Sequence, residues 1–312
     1  MNFSVLTVTL NPAVDKLVKV KKFLPGQDHR VCAIFRSAGG KGINVARALI
    51  HLGVSACATG FIGGPSGFFI RDVLQHEKIP ADFLNLSGET RTSLTVLDQS
   101  SQQLTRILEP GPILSRRQQR EFLLKYSTLA KKVRFVVLSG RNAYGMADNY
   151  YAHLIRIASR LKRKVILDTS GPAFVKGVSA RPFIIKPNLE EAEYFLARRL
   201  SRLADLKKAL SLFLKKGISI PIISLGHRGA VASDGSQFLF AQAPKIRACN
   251  PVGCGDALVA GFVFCLLKGY PFSRALQTAV AAGTVNALNE HPGLIKQKRV
   301  RHFIPEVRIK SL

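Results

Sequence analysis

Short apolar runs and helically spaced apolar positions take turns along this chain. Residues 1–10 carry a compact apolar run at 5–10 that reads as a strand. From 43 to 52 the apolar residues recur at three- and four-residue spacing, and Gly53 halts them as at a helix C-terminus. A strand follows at 56–62 and a helix at 67–76. Ser115 with Gln118 three residues on is a capping-box pattern that opens another helix. The spacing then predicts a buried strand at 134–138, a helix at 147–161, and strands at 164–167, 183–186 and 220–225. Helices at 256–268 and 271–289 close the pattern.

Such alternation predicts an α/β fold with a mostly parallel central sheet and helices on both faces. Two segments break the rhythm. Residues about 14–36 and 92–108 read as short strands with no helix between them, which suits a small separate sheet lying over a site as a lid. No internal repeat, low-complexity tract or long linker interrupts the chain, so 1–312 reads as one domain with that lid as its appendage.

Composition narrows the class. Hydrophobic residues make up 47% of the chain, enough for a core without disulfide or metal staples. The five cysteines are odd in number and form no Cys-x-x-Cys pair, which argues against a secreted disulfide framework and a structural zinc site. The first ten residues lack the charge and cleavage pattern of a secretory signal. The apolar run at 257–267 is too short for a bilayer, which takes ~20 residues. A cytoplasmic protein with no membrane partner is the expectation. Lys and Arg number 46 against 19 Asp and Glu, a net charge of +27. The cations are spread over several helix faces without regular aromatic interleaving. They therefore read as an alkaline surface that attracts anionic substrates, not as a dedicated nucleic-acid site.

Candidate chemistry sits in glycine-rich turns. Asn250-Pro251-Val252-Gly253-Cys254-Gly255-Asp256 runs directly into an apolar helix. Its glycines let backbone N–H groups converge, and the helix N-terminus adds positive dipole character, which makes an anion hole. Asp256 in the first turn is placed to take a proton from a hydroxyl that attacks a phosphoryl group. A second glycine-rich turn, Gly39-Gly40-Lys41-Gly42-Ile43-Asn44, also enters a helix, but no P-loop pattern occurs in the chain. Lys41 and Asn44 suit a substrate's phosphate and hydroxyls. Ser224-Leu225-Gly226-His227-Arg228-Gly229 ends a strand with spaced glycines, as close approach of a nucleotide phosphate requires. Asn188 and Glu191, three residues apart at a helix start, suit hydrated Mg²⁺. Each of these turns, taken alone, is equally well read as ordinary helix capping.

In this order the motifs resemble the ribokinase/PfkB family of sugar kinases over nearly the whole chain, within it the branch of 1-phosphofructokinase and tagatose-6-phosphate kinase. Thr9-Leu10-Asn11-Pro12-Ala13-Val14-Asp15, Gly88-Glu89-Thr90-Arg91, Glu109-Pro110-Gly111-Pro112, Asp168-Thr169-Ser170-Gly171 and Ile185-Lys186-Pro187-Asn188 carry the resemblance alongside the glycine-rich turns. It implies a ribokinase-like three-layer sandwich with a small β-sheet lid, and ATP and Mg²⁺ as cofactors. Asp256 would be the base, and the amides of Gly253, Cys254 and Gly255 the anion hole. Asp15, Gly39, Gly40, Asn44 and Ser139 would face the sugar, and Lys41, Arg91 and Arg30 its phosphate. Lys186, Ser224, Gly226, Gly229 and Asn286 would line the ATP site, with Asn188 and Glu191 organising Mg²⁺ through water. The implied reaction phosphorylates fructose 1-phosphate, tagatose 6-phosphate or fructose 6-phosphate, and lid sheets in the family imply a homodimer. The other class of reading is a catalytically weakened relative that binds nucleic acid.

One segment departs from the branch. Where Ser-Gly-Ser-Leu-Pro-x-Gly is usual, this chain has Ser139-Gly140-Arg141-Asn142-Ala143-Tyr144-Gly145. Arg141 either adds a phosphate contact or projects into solvent. Cys254 replaces a small residue in the anion-hole loop, where the backbone N–H does the work.

Overall fold

The computed structural model describes residues 3–312; Met1 and Asn2, at the start of the expected first strand, lie outside the described residues. The first half of the chain forms β1 (Val5–Thr9), β2 (Ala13–Val20), β3 (Ala33–Gly39), α1 (Lys41–His51), β4 (Ala56–Gly63), α2 (Gly64–His76), β5 (Leu84–Leu86), β6 (Thr92–Asp98), β7 (Leu104–Leu108), α3 (Arg116–Ala130) and β8 (Phe135–Ser139). Then come α4 (Tyr150–Arg160), β9 (Lys164–Asp168), α5 (Gly171–Val178), β10 (Ile184–Ile185), α6 (Leu189–Leu196), α7 (Leu203–Lys215), β11 (Ile220–Ser224), β12 (Gly229–Ser233) and β13 (Phe238–Gln242). The chain closes with α8 (Cys254–Leu267), α9 (Phe272–Ala287), α10 (Gln297–Phe303) and β14 (Arg308–Ser311).

A ten-stranded sheet runs in the order β14-β13-β12-β11-β10-β9-β8-β1-β4-β5. From β11 to β5 every pairing is parallel. The strands are apolar at successive positions because both faces are covered. Val136, Leu138, Val165, Leu167 and Ile223 join a core under α3, α4, α5 and α7. Their neighbours Val137, Ile166 and Ile222 join the other core, under α1, α2, α8 and α9. The outcome is the expected α/β three-layer arrangement. Helix α8 is apolar on all sides because it is enclosed, packing against both α1 and α9. Antiparallel β12, β13 and β14 extend the sheet past β11, and the sequence pattern did not mark them.

The two segments that broke the rhythm form a second sheet, in the order β3-β2-β6-β7. Its strands overlap the expected lid segments. Strand β7 is a free edge with all five residues exposed, Ile107 at 55% and Leu108 at 53% among them. No helix among the described residues is long and apolar enough to cross a membrane.

Candidate active site

Parallel strands deliver their C-terminal ends to one edge of the main sheet, and the glycine-rich turns gather there. Gly253 caps α8 at φ +80°, a left-handed conformation that a side chain would strain. The turn it makes leaves the N–H groups of Gly253 and Gly255 without a hydrogen-bond partner among the described residues, and Cys254 with only a 3.4 Å turn contact to Pro251. Asp256 lies in the first turn of α8, 4% exposed. Its Oδ2 accepts a hydrogen bond from Asn44 Nδ2 at 2.9 Å. Burial, and then the nearby Asp168 carboxylate, push Asp256 up to about 6. That is where a base working near neutral pH should lie.

Asp168 ends β9 and is fully buried. Lys41 Nζ at 3.2 Å and Lys186 Nζ at 3.3 Å both pair with its Oδ1, and Ser139 donates to Oδ2 at 3.4 Å. Burial alone would raise Asp168, but Lys186 and Lys41 outweigh it and hold the carboxyl below its ordinary range. Lys41 is driven up, first by Asp168, against its own burial, with Asp256 and Glu191 adding. Lys41 thus stands with the buried carboxylates Asp168 and Asp256, not among the arginines of the lid. Lys186 Nζ is 3.2 Å from where a Cβ on Gly255 would be, which puts an ammonium directly over the anion loop.

The lid supplies a different charge pattern. Asp15 on β2 packs against Gly39, the position paired across β3 two residues from its own partner Ser37, and a Cβ at Gly39 would collide with its carboxylate. Gly40 caps α1 against Thr9. Burial raises Asp15, opposed by Arg91, Arg106 and a hydrogen bond from Ser93. Arg91 is lowered by burial and then, against the pull of Asp15, by the like charges of Arg106 and Arg141. Arg141 is exposed, and its charge still reaches Arg91. The Arg91 guanidinium reaches Asn11 O and Glu109 O at 3.4 Å, so it also ties together the chain crossings between lid and body. A cleft of about 790 Å³ borders these crossings, lined by Arg91 itself with Glu89, Glu109, Ile113 and Gln118 and not by the buried carboxylates. Arg30 is not brought to this cluster. It is exposed in the β2–β3 connection, beyond Lys19, which the strand rise puts about 13 Å from Asp15, and no ion pair joins it among the described residues.

On the other side of Asp168 lie the expected nucleotide residues. Gly226, at φ +61°, has open space where its side chain would be, whereas Gly229 is obliged by the carbonyl of Ala241 and belongs to the strand packing. Ser224 ends β11 and bridges to Asn188. Asn188 and Glu191 form a reciprocal capping box on α6: Glu191 N donates to Asn188 Oδ1 at 2.7 Å, and Asn188 N donates to Glu191 Oε2 at 2.9 Å. Glu191 Oε1 has no hydrogen-bond partner among the described residues. A single carboxylate oxygen beside an amide is a donor set suited to a cation that keeps its waters, and no group of three or more His, Cys, Asp or Glu that could hold a metal is found among the described residues. The Asn286 amide is spent inside the chain, donating to Val252 O at 2.8 Å and accepting from Gly293 N at 2.7 Å. It braces the anion loop.

Comparison with known proteins agrees with this architecture. Residues 6–298 match the pfkB family of carbohydrate kinases. The chain belongs to that family. It is similar to a Staphylococcus aureus protein assigned as a phosphofructokinase, with 31% identity over 99% of each chain and a TM-score of 0.86. Phosphofructokinase-2 from Escherichia coli, solved with potassium, shares 26% identity over 98% of this chain and 99% of its own, at a TM-score of 0.92. A Thermotoga maritima protein assigned as a 1-phosphofructokinase shares 26% over 99% of each chain, at 0.88. Within this pfkB kinase three chemically placed residues were given no role from the sequence: Asp168, quoted only as part of a motif, Arg47 and Arg106. Asp168 had its signal, a carboxylate closing an apolar strand. Arg47 had one too, a cation among apolar positions of α1. Arg106 carried none, because its approach to Asp15 depends on how the lid strands pair.

Proposed function

We propose that this kinase transfers the γ-phosphoryl group of ATP to a hydroxyl of a ketohexose phosphate. The observation that carries the reading is the buried Asp256, held by Asn44 at the mouth of the α8 anion loop, with Lys186 and Lys41 beside it. Asn44 occupies Oδ2, which leaves Oδ1 to take the hydroxyl proton. The amides of Gly253, Cys254 and Gly255 face the charge that develops on the phosphoryl oxygens. Lys186 and Lys41 add positive charge there, neutralised in the resting protein by Asp168. Mg²⁺, when present, would screen the nucleotide phosphates, and Glu191 would orient it through water.

Specificity for a sugar that already bears a phosphate rests on Arg91, Arg106 and Arg141. Arg91 and Arg106 act on Asp15, Glu109 acts on Arg91, and Arg141 adds a further positive charge beside Arg91, so a neutral sugar would leave an excess of positive charge unpaired. A coupled ADP-release assay with fructose 1-phosphate, tagatose 6-phosphate, fructose 6-phosphate and free fructose tests the reading. Turnover on at least one phosphate, with kcat/KM at least ~10²-fold above that for fructose, is expected. Equal turnover of free fructose would refute it. The lid, segments 13–39 and 92–108 of a single kinase unit, would close over the sugar. The free apolar edge of β7 would pair with a second copy, as open strand edges do unless blocked. Ile107→Lys should then yield a monomer by light scattering, whereas a wild-type monomer would dismiss the lid dimer.

A further inference from the structure

We infer that Arg47 is the positioning residue that fixes which end of the Asn44 amide faces the catalytic base, and that it locks lid, base and anion loop into one register. The inference rests on the kinase reading for its consequence and on geometry for its substance. Arg47 lies one turn beyond Asn44 on α1 and is 3% exposed. A guanidinium only donates hydrogen bonds. Its Nη1 donates to Asn44 Oδ1 at 3.0 Å, so the amide must present its oxygen to Arg47 and its nitrogen to Asp256 Oδ2, 2.9 Å away. A flipped amide would set donor against donor at Arg47 and acceptor against carboxylate at Asp256, losing both bonds at once.

The same side chain reaches the other two parts of the site. Nη2 donates to Ala38 O at 3.0 Å, where β3 of the lid returns to the body. Nη1 also donates to Pro292 O at 3.3 Å. Pro292 precedes Gly293, whose N–H donates to Asn286, and Asn286 in turn holds Val252 of the anion loop. Glu77, just past α2, receives Nε at 2.8 Å and compensates the buried charge. A buried arginine paired to a glutamate could serve folding alone. What sets Arg47 apart is that its remaining donors go to the substrate helix, the lid and the loop.

The groups facing Asp256 are Lys41 and Asn44 from α1, Asp168 from the end of β9 and Lys186 after β10. Asp168 lies below the ordinary carboxylate range and Lys41 above the ordinary lysine range, so the acid limb of the rate near pH 6 reports Asp256. The test is a cycle of Arg47→Met, Asn44→Ala and the double variant. Two readouts are taken: kcat and KM against pH, and the Asp256 carboxyl titration by ¹³C NMR, assigned with Asp256→Asn. Arg47→Met should lower kcat about 10²-fold, as misplacement by an ångström does. It should also move the Asp256 titration upward, because the carboxylate loses an enforced donor. In the Asn44→Ala background it should move the Asp256 titration no further, and any loss of kcat that remains there reports the contacts to Ala38 and Pro292. Arg47→Lys keeps the charge and the Glu77 partner without the planar fork; should Arg47→Met not fold, it carries the same test with a smaller shift in the same direction. A folded variant with an unmoved titration, or titration shifts that add in the double variant, would overturn the inference. If wild type turns over no sugar phosphate, the kinase reading fails while the NMR titration still decides the role of Arg47.

Discussion

The two edges of the main sheet carry charge in opposite ways. At the C-terminal edge, charges interlock: Asp168 with Lys41 and Lys186, and Asp15 among arginines. At the N-terminal edge, the connections at 131–134, 160–164, 178–183 and 214–219 lead into β8, β9, β10 and β11 and hold cations without one Asp or Glu. Lys131, Lys132, Arg134, Lys162, Arg181 and Lys216 are exposed there, and none is ion-paired among the described residues. Cations near helix C-termini complement the helix dipole, which accounts for many of them. Along the sequence these cations look scattered, yet a parallel sheet collects them on one side. The lesson is that net charge and site charge are separate properties. The first is an open field, and the second is a set of pairs fixed by burial.

The comparison breaks most sharply at Asp256. Asp256→Asn should cost ~10²–10⁴-fold in kcat, with ATP and sugar-phosphate binding kept, because the amide cannot take the proton. Wild-type kcat should fall as pH drops below about 6, where the carboxyl protonates. The sign for stability is opposite. A carboxyl raised in the folded state binds more protons there than in the unfolded chain, so its contribution weakens as pH rises toward 6 and is unfavourable above it. Asp256→Asn should therefore melt no lower than wild type at pH 7.5. A lower Tm, or near-native kcat, would contradict the role of a desolvated base.

Asp168→Asn comes next. It leaves the buried ammonium of Lys186 uncompensated, which costs about 3–5 kcal/mol in typical buried pairs. In wild type the depressed Asp168 contributes above the unfolded carboxylate range, near pH 4, and that stability is lost only as pH falls below it. Urea titrations at pH 7 should show the deficit, and one under 1 kcal/mol would mean that the pairs are not coupled as drawn. Arg91→Ala is smaller. It should raise KM for the sugar phosphate about tenfold, as loss of a charge-assisted contact does, with KM for ATP within about twofold. Equal changes in both would assign Arg91 to the lid crossings alone.

Much of this was legible in the chain because the carriers are local. The 250–256 turn and the 39–44 turn announce helix N-termini by glycine and polar residues alone, and α3 opens at Ser115 with the capping box its sequence spelled out. What stayed hidden depends on pairing across distance. The approach of Arg91 and Arg106 to Asp15 needs the lid register, in which Asp15 lies opposite Ser93 and Arg106 opposite Thr95. The pairing of Lys41 with Asp168 spans 127 positions of sequence. Strand β10 shrank to two residues, since the chain turns off at Lys186 to place its ammonium over the loop.

The N-terminal edge gives the smallest effect, and it tests whether the field is only a field. Charge reversal at Lys131, Lys162 and Lys216 removes six units from +27 without touching any residue of the site. At ~0.15 M salt the Debye length is about 8 Å, while the sheet alone puts these connections several residues of strand away from the catalytic edge, five in β8 and five in β9. The triple variant should keep kcat, and at that salt its kcat/KM for the sugar phosphate should stay within about twofold of wild type. At ~0.01 M salt, where the screening length grows to about 30 Å, wild type should gain in kcat/KM and the variant should gain less. Steady-state kinetics at the two salt concentrations decide it. A loss of kcat at either salt would show that the basic edge is coupled to the chemistry through the structure, and the separation of the two edges would have to be given up.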